Sequence, residues 1–397
     1  MPGQGLKRVW TLPISPKKDS ANLRVLQWNV LADGLAQHGD FVKVTQQALC
    51  WSYRAEKLLQ QILEPQPDIV CLQEVNKYGD CFLPAMEKHG YTGAFFCKPC
   101  SPAEQYGAPC DGCALFYRSD RFDLCAEPQG QTFKAMDGSA GNQGMLIVHL
   151  FDRHSSTPIC AATTHLKAKA GQANDAIRDH QVTQLMSELK RGVSVHTGKS
   201  VAASGSRAHQ ARSQQPLIVL CGDLNTTPDS LTCQTKDKHS IAVADMSSGM
   251  QLIARDPLQL RSSWDSYPNA AHRSHGMSDQ QPFSTWKFRS DGESKRIIDY
   301  IWYSADDRLQ LSSHWQLPSD AVIGATGLPT LDLPSDHLAL CCSFSITNLL
   351  NSQHSIPRAA CDTAYATGLC VQPGTGLDPG FEVRHLQLHS RHQQQSG

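Results

Sequence analysis

At 397 residues, with 40% hydrophobic and 18% charged residues, the chain can build one large or two ordinary domains. A formal net charge of −1 excludes a global basic field that would draw it onto a polyanion, although a local cluster of Lys and Arg would suffice for a short strand. No apolar run approaches the ~18 residues that span a bilayer. The basic N-terminus (Lys7, Arg8, Lys17, Lys18) lacks the apolar stretch of a secretory leader. Many of the 15 cysteines sit inside apolar runs (Cys71, Cys160, Cys221, Cys341, Cys342). That pattern fits a reduced intracellular protein, cytoplasmic, with a mitochondrial address as the alternative. Cys97-x-x-Cys100 and Cys110-x-x-Cys113 have the form of a four-thiolate zinc site. Against zinc, Cys113 opens an apolar strand and Lys98 lies inside the first pair, so the zinc reading is disfavoured.

Residues 1–21 read as a flexible leader. Leu23–Trp28 is a strand that ends in Asn29. From Trp51 onward, Ala55, Leu58, Leu59, Ile62 and Leu63 recur at helical spacing, until Pro65 and Pro67 stop the helix. Ile69–Leu72 is the next strand, and it delivers Glu74 into a cleft rather than into water. A short helix near Phe82–Lys88 precedes strands at Tyr91–Phe96 and Cys113–Arg118, with Lys98 in the Pro- and Gly-rich loop between them. Met145–Phe151 and Ile159–Thr164 read as a strand pair. If the second strand continues, alternation puts His165, Lys167 and Lys169 on one face as an anion site. Ala176–Leu189 is an amphipathic helix closed by Gly192, and residues 192–215 read as a disordered surface insertion.

Leu217–Cys221 is an apolar run fit for a strand buried on both faces. Asp223 and Asn225 follow two apart, on one face of an extended chain. An acid and an amide there can aim a water, or simply make a turn. Ile297–Tyr303 is a strand with Asp299 embedded in it, and a buried carboxylate needs a partner. Pro334-Ser335-Asp336-His337 opens a last strand at Leu338–Phe344, and His337 is the natural partner for Asp299. Residues 349–397 read as a flexible tail, leaving 22–348 as the folded domain.

Asn29, Glu74, His165, Asp223, Asn225, Asp299, Asp336 and His337 therefore all fall at or near strand ends. Strands alternating with helices predict an α/β protein whose sheet edges gather one polar cleft. Carboxylates without clustered Cys or His favour a hard cation such as Mg²⁺. Asp299 bonded to His337 would hold a cationic, oriented imidazole. Metal-assisted hydrolysis of a phosphoester fits this set.

The ordered motifs Q-W-N-V-L-A-D, C-L-Q-E-V, T-H-L-K-A-K, C-G-D-L-N-T-T-P, I-D-Y-I-W-Y-S and P-S-D-H-L resemble the endonuclease/exonuclease/phosphatase superfamily. The resemblance implies a four-layer α/β sandwich of two packed mixed sheets flanked by helices. It implies that Glu74 is the principal Mg²⁺ ligand (Mn²⁺ a substitute), with Asn29 supporting it and Asp336 nearby. Asp223 and Asn225 would activate water, and His165 and His337 would bind the phosphoryl oxygens, Asp299 orienting His337. Leu31 stands where base-excision members carry Asp, so the chain is similar to the deadenylase-like branch. K-P-C-S-P, D-G-C-A-L-F-Y, T-H-L-K-A-K-A-G and T-W-K-F-R-S-D-G-E narrow the resemblance to a subgroup that removes the 2′-phosphate of NADP⁺ and NADPH. In that subgroup Lys98, Lys167, Lys169 and Arg289 would hold the phosphates, Lys169 replacing the usual Arg. A poly(A) 3′-exoribonuclease acting on single-stranded RNA is the enzymatic alternative. An inactive scaffold is disfavoured, because no acidic position is missing.

Overall fold

The computed structural model describes residues 6–11, 20–200, 215–228, 248–267 and 282–347. In chain order the first strands are β1 (Ser20–Asn29), β2 (Ile69–Val75), β3 (Tyr91–Cys97), β4 (Gly112–Arg118), β5 (Phe122–Leu124) and β6 (Gln129–Lys134). Next come β7 (Ala140–Asp152), β8 (Thr157–His165), β9 (Leu217–Asp223), β10 (Leu260–Ser262), β11 (Thr285–Arg289) and β12 (Gly292–Arg296). β13 (Asp299–Ser304), β14 (Leu309–His314) and β15 (Leu340–Thr347) complete the set. One sheet runs β14-β15-β1-β2-β4-β3 and the other β10-β13-β9-β8-β7-β5, with β6 on β7 and β11–β12 a separate ribbon. Each large sheet is mixed: β1 lies parallel to β2, β8 lies parallel to β9, and the other neighbours are antiparallel.

Alternation along the strands divides the apolar residues between two faces. Val25, Ile69, Cys71 and Leu115 of the first sheet meet Val148, Ala161, Val219 and Ile301 of the second in one core. The outward residues Leu26, Val70, Leu72 and Phe116 pack under Leu58 and Ile62 of the helix Trp51–Leu63. On the opposite side Cys160, Ile218, Leu220 and Trp302 pack under Val182, Leu185 and Leu189 of the helix Gln172–Ser200. The order helix, sheet, sheet, helix is the expected four-layer sandwich.

Several boundaries differ from the sequence expectation. Residues 6–11 of the expected leader are docked. Arg8 donates to the carbonyls of Gln316 (2.7 Å), Ala339 (2.9 Å) and Trp315 (3.3 Å), and Trp10 bridges to Trp315. The guanidinium satisfies backbone acceptors that would otherwise be left bare there. The helix from Gln172 does not stop at Gly192 but runs to Ser200, so residues 192–200 are helix rather than insertion. Gly192 is needed for close approach: a Cβ there would lie 2.9 Å from the His149 ring. The rest of the expected insertion, 201–214, and the expected tail, 349–397, lie outside the described residues.

Candidate active site

Strand register brings the polar residues together. Asp223, at the end of β9, has His165 of β8 as its neighbour on one side and Asp299 of β13 on the other. Gly222 lets the parallel strands close up, since a Cβ there would sit 2.6 Å from the Thr164 carbonyl. Asn29, at the end of β1 in the other sheet, donates from Nδ2 to both Glu74 Oε1 (3.0 Å) and Asp223 Oδ2 (3.1 Å). One carboxamide thus links the acids of the two sheets. Glu74 Oε2 also accepts from the Ala32 N–H at 3.2 Å.

The backbone is bent to make this possible. The β2–β4 register shifts between Leu72 and Val75, and Glu74 has φ 56°. The bulge turns Glu74 out of the strand's alternation. Leu31 (57°), Lys169 (76°) and Asn225 (49°) share the left-handed region, which costs a residue with a Cβ about 1–3 kcal/mol. Such strain persists only where surrounding bonds hold it. Asn225 N–H donates to Asp223 Oδ1 at 3.0 Å, and Leu31 N–H donates to Asn29 Oδ1 at 3.0 Å. The extended Asp223-x-Asn225 arrangement is therefore corrected to a tight turn, in which Asn225 Nδ2 reaches the Leu166 carbonyl at 3.1 Å.

Asp299 and His337 form the expected pair, with His337 Nδ1 donating to Asp299 Oδ2 at 2.8 Å. Ser284 Oγ donates to the same oxygen at 2.7 Å, and Gln27 Nε2 approaches Oδ1 at 3.3 Å. Burial opposes charge on His337, but Asp299 outweighs it and raises the imidazole to about 9. Its Nε2 lies 3.5 Å from Lys287 Nζ and 3.8 Å from Asp223 Oδ2, and His165 Nε2 lies 3.5 Å from the same carboxylate oxygen. Burial, with Asp299 second, pushes the Asp223 carboxyl up to about 6. His165 is driven the other way: burial and the charges of Lys98, His337 and Lys287 hold it neutral.

The expected row of His165, Lys167 and Lys169 is corrected on two points. β8 ends at His165, so the lysines stand on a loop rather than on a strand face, and His165 is not cationic. Lys167 is half-buried and Lys169 exposed. Lys98 is buried and ion-paired with Asp111 at 2.7 Å; burial opposes its charge, yet Asp111 and Glu74 hold the ammonium above its ordinary value. Arg289 reaches Asp336 at 3.3 Å and stacks over Phe41 at 3.8 Å. Asp336 also takes Lys287 Nζ at 2.6 Å. Burial would raise its carboxyl, but Lys287, His337 and Arg289 pull it well below the usual range.

Sequence reasoning missed Lys287, although its place two residues before Arg289 in T-W-K-F-R puts both on one face of β11. It also missed Gln27 and Gln73, which exchange bonds at 2.7 and 2.8 Å beneath the site while Gln73 Nε2 reaches Thr163 at 2.9 Å. The signal was available. Both glutamines interrupt apolar runs of sequence, as Asp299 interrupts the run 297–303 although it proves to be the first residue of β13. Among the described residues the close group of potential metal-binding side chains is Asp223, Asp299 and His337. The four cysteines are not a zinc site, since Cys97 and Cys110 are joined as a disulfide, Cys113 is buried and Cys100 is exposed.

A model of the Endonuclease/Exonuclease/phosphatase family matches residues 26–337. Nocturnin of Homo sapiens is 34% identical over 333 residues, which is 82% of this chain and 65% of that protein. The chain thus spans just under two thirds of that relative's length. The solved catalytic domain of human Nocturnin with bound sulfate anion is similar at a TM-score of 0.59 and 29% identity, covering 86% of this chain and 98% of that one. The CCR4-Not complex 3′-5′-exoribonuclease subunit Ccr4 of Candida glabrata is 26% identical over 361 residues, 86% of this chain and 39% of that protein.

Proposed function

The chain belongs to the Endonuclease/Exonuclease/phosphatase family, and on that premise we propose that it is a divalent-metal-dependent phosphatase that removes the 2′-phosphate of NADP⁺ and NADPH. What supports hydrolysis most directly is Asp223 Oδ2, which receives the Asn29 amide and faces the Nε2 atoms of both His165 and His337. A buried carboxylate held near neutral titration is suited to take a proton from water. Water oxygen bonds to phosphorus as its proton passes to Asp223, and the phosphorus–O2′ bond breaks, O2′ taking up a proton from solvent to leave as the 2′-hydroxyl. His337, cationic, and His165, through its Nε2–H, donate to the phosphoryl oxygens.

The donor set fits a hard cation: Glu74 and Asp223 offer carboxylate oxygens bracketing one Asn29 amide, and no thiolate is among them. Glu74 would hold Mg²⁺, or Mn²⁺ in its place, with Asn29 and Asp336 nearby. Such an ion supplies charge neutralisation at the phosphoryl oxygens. Lys98, Lys167, Lys169 and Arg289 are the cations offered to the dinucleotide's phosphates, and Lys287 joins them through its contact with Asp336. Ten free cysteines among the described residues support a reduced, cytoplasmic setting, and the Cys97–Cys110 disulfide stands against it.

Similarity to the Ccr4 exoribonuclease supports a second reading, trimming of single-stranded poly(A) by the same centre. Phosphate release from NADP⁺ and NADPH, measured beside trimming of oligo(A), both with Mg²⁺, separates the two. Release of phosphate without trimming is the expected result. Trimming without release would replace the phosphatase reading by the deadenylase one.

A further inference from the structure

We infer that Arg178 is the positioning residue that sets Lys167 and Lys169 for the substrate's phosphates, an inference that rests on the phosphatase reading above. Arg178 lies in the helix Gln172–Ser200, behind the loop that leaves β8 after His165. It is 3% exposed, and its Nη1 donates to the carbonyls of both Lys167 and Lys169 at 2.8 Å each. Its Nη2 pairs with Asp175 one turn earlier. One guanidinium nitrogen donating to two carbonyls two residues apart, while the other is braced on Asp175, fixes the direction of the segment between them; a Lys has no second nitrogen to brace in this way.

The rest of the segment is pinned as tightly. Leu166 N–H donates to the Asp223 carbonyl at 3.0 Å, and the Leu166 carbonyl accepts from Asn225 Nδ2 at 3.1 Å. Lys167 N–H donates to Gln181 Oε1 at 2.9 Å, one helical turn from Arg178. So the backbone from Leu166 to Lys169 is held, by Asp223 and Asn225 at one end and by the helix at the other. Lys169 keeps φ 76° inside this frame, a conformation that a loose loop would abandon. The two ammonium groups are then aimed from a fixed base just beyond His165. Holding the lysines through their carbonyls leaves both side chains free for an anion.

A double-mutant cycle on the full chain tests the assignment. Arg178→Ala and Lys169→Ala are each expected to raise KM for NADP⁺ and NADPH roughly tenfold, with kcat within about twofold. The double variant should be no worse than the worse single, because Lys169 contributes only while Arg178 holds it. Arg178→Lys should recover little of the loss. If Arg178→Ala fails to fold by circular dichroism, Arg178→Lys carries the same cycle. Independent losses that multiply would overturn the assignment, as would a fall in kcat with KM unchanged, the mark of a merely structural role. If the wild type trims oligo(A) and spares NADP(H), the phosphatase reading fails but the coupling is still read, on the oligo(A) KM. A wild type that turns over neither substrate overturns both.

Discussion

The Asp299–His337 pair has a direct consequence for pH. Because Asp299 raises His337 to about 9, above its ordinary 6.5, the pair's contribution to stability is fully present below about pH 6.5. It is lost as pH rises through about 9. If the imidazolium binds the phosphoryl group, kcat/KM falls over the same alkaline range. Asp299→Asn removes the charge that holds the proton, and the alkaline limb of the kcat/KM profile should move down by roughly one unit or more. A limb that stays in place would remove His337 from that role. Asp223→Asn keeps the shape and one of the two accepted bonds, from the Asn29 amide or from the Asn225 N–H, but cannot take a proton, so kcat should drop by at least ~10²-fold with KM little changed. Steady-state kinetics on both dinucleotides checks this. A raised KM at normal kcat would make Asp223 a binding residue.

At the level of elements, the helix Trp51–Leu63 joins packing to the site. Its apolar stripe buries Leu58 and Ile62 on the first sheet. On its second turn the buried Arg54 donates to the carbonyls of Pro334 (2.6 Å), Val30 (2.7 Å) and Leu31 (2.6 Å). Burial lowers that guanidinium to about 10, with Asp336, Asp33 and Glu74 opposing the shift. One helix thereby ties the loop after Asn29 to the loop before Asp336. Leu58→Ala removes a fully buried side chain and should cost about 2–5 kcal/mol by denaturant titration. Since Arg54 keeps its bonds, activity per folded molecule should hold. Activity that falls further than the folded fraction would mean the helix position itself is tuned to the site.

The molecule as a whole places its acids on different sheets. Glu74 comes from β2 and Asp223 from β9, and the Asn29 amide spans them. A divalent cation held there binds the folded state alone and should raise Tm in proportion to RT ln(1 + [M]/Kd), about 2.7 kcal/mol at a hundredfold excess over Kd. Glu74→Ala should fold, lose turnover, and lose the Tm response to Mg²⁺. Chelator should abolish wild-type activity. An undiminished Mg²⁺ shift in Glu74→Ala would move the ligand role to other residues.

Much of this was written in local sequence. Apolar runs such as Leu217–Cys221 and Ile69–Leu72 specify buried strands wherever they occur, and the acids that end them mark one rim of the sheets. Asp299 inside an apolar run announced a partner, and P-S-D-H supplied it. The helix Trp51–Leu63 was legible because its period is a property of neighbouring residues alone. Other features depend on groups distant in sequence. Gly192 reads as a helix stop until His149 is seen against it. Asn225 reads as extended until its N–H turns back to Asp223, and Glu74 needs a register shift against β4 that no short window contains. The basic loop reads as a strand face because alternation presumes continuation. It is instead bent by Arg178, which meets the Lys167 carbonyl 11 residues away in sequence. Sequence by itself determined which residue types reach the strand ends. Only the tertiary structure decided which of them face one another, because pairing depends on sheet register and on backbone bonds closed across the fold.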